Sequence, residues 1–190
     1  MTKRIVVSIT GASGVAYGVR LLDVVATQAL VSLVVTQGAR KVLETEGGDG
    51  VDLDAVIDRH QDRITVLDDS NIAAGPASGS YPTDGMVVIP CSMDTLAAIA
   101  SGSSRRLTHR AAHVTLKEGR KLVLVPRETP LNIIFIENLL RVARAGATVL
   151  PASPGFYHKP KTIVELVDFV VGKALDQFGI SHDLYRRWGS

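Results

Sequence analysis

The chain of 190 residues has one cysteine, Cys91, so no disulfide can form within it and a reducing compartment is expected. Aromatic residues make up only 5% of it, too few for the interleaved basic and aromatic surface that tracks nucleic acid, and a formal net charge of +2 points away from that partner as well. Long apolar runs are missing. Residues 86–100 are fairly apolar but are broken by Pro90, Ser92 and Asp94 and are short for a membrane span. Near the start, Lys3 and Arg4 precede an apolar run that gives out at Gly11, with no small-residue cleavage pattern after it, so no signal peptide is expected. The five histidines lack metal-ligand spacing. His109 and His113 stand four apart without the intervening Glu of a zinc-peptidase motif, so no metal site is expected. Repeats and linkers are absent. What remains is a cytoplasmic, soluble, single-domain protein over residues 1–190, with no nucleic acid or membrane as partner.

What the chain does have is aliphatic surface. Ala, Val, Ile and Leu supply most of its apolar content, and its mean hydropathy is +0.20, high for a small soluble protein poor in rings. Large exposed apolar patches are disfavoured in monomers, so a homo-oligomer is expected.

The apolar runs also stop in a consistent way. Strands are expected over residues 4–10, 30–35, 64–67, 86–89, 121–125 and 148–150, and most end abruptly in Gly, Ser, Thr, Pro or charge. Helices are expected over 15–28, 38–46, 53–60, 92–100, 107–118, 131–145 and 162–178, with Gly47-Gly48-Asp49-Gly50 closing the second. A stretch from 68 to 84, rich in Gly, Ala, Ser and Pro, reads as a long functional or disordered loop. Alternating strands and helices predict an α/β fold: a single-domain, Rossmann-like, doubly wound and mainly parallel sheet flanked by helices. In such a sheet the loops after the strands converge on one edge, where ligands bind.

Several of those loops carry chemistry. Gly11-Ala12-Ser13-Gly14 joins strand to helix and can present backbone N–H groups and a helix dipole to an anion, although a tight turn alone explains its glycines. Pro126-Arg127-Glu128-Thr129-Pro130 holds a cation and a carboxylate between two prolines. It reads as an anion clamp beside a general acid or base, or as a structural ion pair at a buried sheet edge. In Cys91-Ser92-Met93-Asp94-Thr95 helix capping alone accounts for Ser92 and Asp94, and Cys91 has no His placed to activate it. Arg105, Arg106, Arg110 and Lys117 fit a solvated helix face, and Tyr157-His158-Lys159-Pro160 fits either a plain loop or a contact with a neighbouring subunit.

Together these segments resemble the UbiX family of flavin prenyltransferases, once described as aromatic-acid decarboxylases. The likeness spans Thr10-Gly11-Ala12-Ser13-Gly14 with Tyr17-Gly18, then Leu43-Glu44-Thr45-Glu46, Ala77-Ser78-Gly79-Ser80, Cys91 to Thr95, Arg110-Ala111-Ala112 with Leu116-Lys117-Glu118, Val125 to Pro130, Pro154-Gly155-Phe156-Tyr157-His158 and Arg187-Trp188. The resemblance implies an enzyme that joins dimethylallyl phosphate to reduced FMN, first at N5 and then by ring closure at C6. Its product, prenylated FMN, would serve a UbiD-type decarboxylase. The resemblance also implies independence of metals and a dodecamer.

Residue roles carried over from the family place FMN on Gly11, Ala12, Ser13, Thr36, Ser92, Met93, Asp94, Thr95 and Arg127. They place the prenyl phosphate on Ser78, Gly79, Arg110, Lys117, Tyr157 and Lys173, some from a neighbouring subunit, with Trp188 shaping the pocket. Ser13, Glu46 and Glu128 form the acid–base and positioning set. Thr36 stands where many relatives have Ser and keeps the hydroxyl; Lys173 stands where many have Arg and keeps only the charge. Asn132 and Phe135 stand where relatives often carry His and receive no catalytic role. Two other readings remain at this stage: an FMN-dependent decarboxylase of the cysteine type, and a non-catalytic flavin carrier subunit.

Overall fold

A computed structural model describes residues 2–48 and 50–189; Asp49, expected in the turn after the second helix, lies outside the described residues. Six strands, β1 (Lys3–Ile9), β2 (Ala29–Val35), β3 (Ile64–Leu67), β4 (Gly85–Cys91), β5 (Lys121–Pro126) and β6 (Thr148–Val149), form one parallel sheet in the order β3-β2-β1-β4-β5-β6. The order reverses between β1 and β4, and the crevice above that reversal is where an open sheet receives a ligand.

The strand pattern explains the layers. Both faces of β4 are covered and all seven of its residues are buried, so it reads as an uninterrupted apolar run. Alternate residues face opposite ways. Ile5, Val7, Ile9, Val87, Ile89, Val123 and Val125 pack with α1 (Val15–Val25), α2 (Gln37–Glu46), α3 (Leu53–Arg59) and α7 (Ile163–Asp176). Val6, Met86, Val88, Leu122 and Leu124 pack with α4 (Met93–Ala100), α5 (Leu107–Lys117) and α6 (Ile133–Arg144).

Most element boundaries differ from the sequence expectation by a residue or two, and four of them have a clear local cause. Helix α1 ends at Val25, not residue 28, because a tight turn over Thr27 and Gln28 must deliver Ala29 into the sheet beside Lys3. Strand β4 continues through Pro90, which the sequence treats as its end. The register against β5 shifts between Val88 and Cys91, so the missing proline N–H falls where the ladder is irregular, and the Pro90 carbonyl is used by Thr10. Helix α6 starts at Ile133 because Asn132 caps it, its side chain accepting the Phe135 N–H at 2.9 Å. Thr162 likewise lies outside α7, forming a capping box with Glu165. Within the loop from 68 to 84 there is one short 3-10 turn, Gly75–Ala77.

Helix α6 packs on α4 through one face and leaves the other open. In α6 only Val142 is buried, while Ile133 and Ile134 are 67% and 61% exposed and Ile136 and Leu140 stand open beside them.

Candidate functional site

The loop after β1 is held close to the start of α2. A Cβ on Gly11 would meet the Gly38 backbone at 2.9 Å, so this approach requires glycine. The hydroxyl of Thr36 caps α2 by accepting the Ala39 N–H at 3.2 Å. On the other side of the crevice Ser92 caps α4, accepting the Thr95 N–H at 3.2 Å and donating to the Thr95 hydroxyl at 3.1 Å. Two capped helix N-termini therefore border one space, and each offers backbone donors and a positive dipole end.

The two loops are joined by Thr10. Its hydroxyl donates to the Pro90 carbonyl at 2.7 Å and accepts the Ser92 N–H at 2.8 Å. Residues beyond β5 close the third side. Arg127 donates through Nε to the Ser13 carbonyl at 3.2 Å, so the ion pair with Glu128 entertained from sequence gives way to a contact across the crevice. Glu128 itself is exposed, not buried as a sheet-edge carboxylate was expected to be.

The result is a cleft of about 680 Å³, within the usual range of cofactor sites. Gly11, Ala12, Ser13, Thr36, Ser92, Met93, Asp94, Thr95 and Arg127, the whole set expected to hold flavin, line it together with Glu128. Its polar rim, its two helix N-termini and the Arg127 guanidinium suit a phosphate carried on a ribityl chain, and its size admits a flat ring system.

Glu46 stands behind this wall. Its carboxylate accepts the Gly14 N–H at 2.7 Å. Burial alone would raise its pKa, but hydrogen bonds from the Ser13 hydroxyl and from the Gly14 and Val15 amides, with the Arg127 charge, hold it below the ordinary carboxylate value. Glu46 is thus an ionised anchor that orients Ser13. Tyr17 is pushed the other way, upward, chiefly by burial and against the pull of Arg127. Burial pushes the Cys91 thiol up to about 12, which removes it as a nucleophile.

The residues expected on the prenyl phosphate fall into two groups, and none of them lines the cleft. Around residues 77–79, Arg110 donates to the Ala77 carbonyl at 3.1 Å and Arg120 to the Gly79 carbonyl at 2.7 Å. Lys117, paired with Glu118, has its Nζ 2.8 Å from where a Gly79 Cβ would stand. Ser78 and Ser80 share a hydrogen bond of 2.9 Å. Arg110 is therefore not the solvated helix residue that its spacing allows. The second group is Tyr157 and Trp188, whose rings meet edge-on at 5.3 Å, with Lys173 exposed on α7.

Sequence reasoning missed several lining residues. Arg40 and Arg106 add cations to the cleft wall, Asp68 and Asp69 add carboxylates, and His109 adds an imidazole. His109 Nδ1 is buried without a hydrogen-bond partner. Burial, the strongest influence, lowers its pKa, aided by His113 and Arg106 and opposed by Asp69 and Asp94, so the ring is held neutral. The sequence drew attention to it only as half of a possible metal pair with His113, four residues on, and not as a wall of a ligand cleft. Among the described residues no group of three or more His, Cys, Asp or Glu gathers as a metal site, and no helix is long and apolar enough to cross a membrane.

Comparison with known proteins agrees with this geometry. A family model described as Flavoprotein matches residues 1–175. The flavin prenyltransferase UbiX of Alkalihalophilus pseudofirmus is 50% identical over 98% of this chain and 96% of its own length. The crystal structure of AnUbiX in complex with FMN and dimethylallyl pyrophosphate superposes with a TM-score of 0.90 at 40% identity, covering 100% of this chain and 99% of that one. A dodecameric FMN-dependent UbiX-like decarboxylase from Escherichia coli O157:H7 superposes with a TM-score of 0.91 at 42% identity, over 98% of this chain and 100% of the other.

Proposed function

The chain belongs to the UbiX flavin prenyltransferases, and from that premise we propose that it transfers the dimethylallyl group of dimethylallyl phosphate to reduced FMN. Reduced FMN, when bound, supplies the nucleophilic N5 and C6 and leaves as prenylated FMN with a fourth ring. The observation that carries the reading is that one cleft gathers nine residues from the ends of four strands, β1, β2, β4 and β5, with a guanidinium and two helix N-termini among them.

The protein's own groups have distinct tasks. The helix N-termini after Thr36 and Ser92, with Arg127, hold the flavin and its phosphate. Leaving of the allylic phosphate builds negative charge on its oxygens. Arg110 and Lys117, gathered beside Ser78 and Gly79, and Lys173 absorb that charge. Glu128, exposed at the cleft rim, removes a proton from carbon in the second step, relayed through the Ser13 hydroxyl that the ionised Glu46 holds in place.

Because the prenyl-phosphate residues lie off the cleft, a neighbouring copy supplies some of them, and the chain works as a homo-oligomer, a dodecamer. The open aliphatic face of α6 supports this assembly. The recipient of the product is a UbiD-type decarboxylase, and the compartment is the cytoplasm, where a reduced flavin and the single thiol both persist.

The test is incubation of the chain with reduced FMN and either dimethylallyl phosphate or its pyrophosphate. A flavin heavier by one prenyl unit is expected, formed faster from the monophosphate. An unchanged flavin with both donors overturns the assignment. Carbon dioxide released from a peptide thiol would favour a cysteine-type decarboxylase instead.

A further inference from the structure

Beyond α7 the chain turns back across its own helix. His182 and Tyr185 come over Gly172, where an added Cβ would stand 2.6 Å from both rings, so the contact depends on a buried glycine in mid-helix. The last residue of α7, Asp176, then gathers the returning segment. Its Oδ1 accepts from His182 Nε2 at 3.2 Å and from Arg187 Nη2 at 2.8 Å; its Oδ2 accepts from the Tyr185 hydroxyl at 3.0 Å and from Arg187 Nη1 at 3.2 Å. His182 Nδ1 accepts the Leu184 N–H at 3.3 Å, which places the ring proton on Nε2 and makes that atom the donor to Asp176. Four donors from three residues thus converge on one carboxylate.

The next residue is Trp188. Its ring meets Tyr157, Tyr157 meets Phe169 of α7 at 5.7 Å, and Phe169 meets Tyr185 at 4.9 Å. Trp188 is 81% exposed, so its own burial cannot hold it there. Ile180 is buried and Leu184 packs on the main core, which fixes the segment only as far as residue 184. Past that point the ionic hub joins the Tyr185–Phe169 ring contact in holding it. The segment closes over a cavity of about 600 Å³ lined by Tyr157, Lys159, Arg186, Arg187 and Trp188, where cations stand beside aromatic faces. That pairing suits a phosphate attached to an allyl group.

We propose that Asp176 is a positioning residue for the prenyl-phosphate half of the site: by tethering His182, Tyr185 and Arg187 it holds Trp188 against Tyr157. The inference rests on the prenyl transfer proposed above. Asp176 touches neither flavin nor donor in this account, so its effect must appear in donor binding and in the surroundings of Trp188.

Trp188 is the only tryptophan, so the emission of the full-length protein reports its docking directly. Two variants attack the tether independently: Asp176→Asn removes the charge, and Gly172→Ala pushes the strap away while leaving the carboxylate. Both are expected to shift the Trp188 emission. Both should also raise KM for dimethylallyl phosphate about tenfold, as loss of charge-assisted hydrogen bonds predicts, with kcat and FMN affinity within about twofold of wild type. Wild-type emission and KM in both variants overturn the proposal. Altered emission with an unchanged KM overturns it too, because the strap would then move without touching donor binding. If the wild-type chain leaves flavin unmodified, the prenyl-transfer reading fails, while unchanged emission in the variants separately disproves the tether.

Discussion

The hydroxyl of Thr10 and the backbone nitrogen of Ser92 lie 2.8 Å apart, although 82 residues separate them in sequence. Because the same hydroxyl donates to the Pro90 carbonyl, one buried side chain fastens the loop after β1 to the loop after β4 at the point where the strand order reverses. Thr10→Val keeps the shape and removes both bonds, leaving the part-buried Ser92 N–H without this partner and the Pro90 carbonyl with the Thr10 N–H at 3.3 Å. A loss of about 1–3 kcal/mol in urea unfolding is expected. Flavin affinity should fall with it and return in Thr10→Ser, read by quenching of flavin fluorescence.

Glu128 and Lys117 should fail in different ways. Glu128 lines the cleft and Lys117 does not. Glu128→Gln is expected to leave FMN affinity intact and to slow turnover about a hundredfold, the scale of a lost general base. Lys117→Ala should leave FMN affinity intact and raise KM for the allylic phosphate about tenfold, equivalent to about 1.4 kcal/mol. Steady-state kinetics with separate flavin titrations check both, and equal turnover in Glu128→Gln would remove that carboxylate from the chemistry.

Acid should destabilise the fold through specific groups. His109, Glu46 and Asp176 all have pKa values below their ordinary ones: His109 chiefly by burial, Glu46 and Asp176 because hydrogen bonds and nearby cations outweigh burial. A depressed pKa means the unfolded chain binds the proton more readily, so each contribution is present above the ordinary pKa and is lost as pH falls through the folded one. The His109 contribution goes first, starting below its ordinary 6.5, and the two carboxylates follow below theirs, 4.5 and 3.8. Thermal unfolding across pH should show a first decline that disappears in His109→Phe. The Trp188 emission should change in the later, carboxylate range, as Asp176 takes up a proton and loosens its hold on Arg187, while Tyr185, raised to about 12 by burial and by Asp176, stays protonated throughout.

Cys91 should be silent. With its thiol fully buried at the end of β4 and its pKa pushed up to about 12, almost no thiolate exists at neutral pH. A maleimide is expected to leave the native protein unmodified and to add one label after denaturation, counted by mass. Rapid native labelling would contradict the placement of Cys91.

Much of the arrangement could be read from the chain because strand ends in a parallel sheet are marked by abrupt changes of residue type. The turns at Gly11, Ser92 and Arg127 stood out for that reason, and all three border the cleft. Pro90 misled because proline usually ends a strand, whereas here an irregular register absorbs it. Thr10 was invisible as a fastener, since a threonine in an apolar run is ordinary strand sequence. His109 was weighed only for metal binding with His113, because only tertiary packing turns a polar residue on α5 into a neutral, half-buried wall of the cleft. Asp176 carries no sequence signal beyond a charge near a helix end, and the chain's return over Gly172 has no local signature.

That Tyr157, Lys173 and Trp188 stay off the cleft has a consequence for damaged protein. Each copy would own half of two different workplaces, one at its flavin and one at a neighbour's. A Glu128→Gln copy and a Lys173→Ala copy, each impaired on its own, should therefore rescue one another when unfolded and refolded as a mixture, because some junctions would unite two healthy halves. Subunits that each held a whole site could only average their defects.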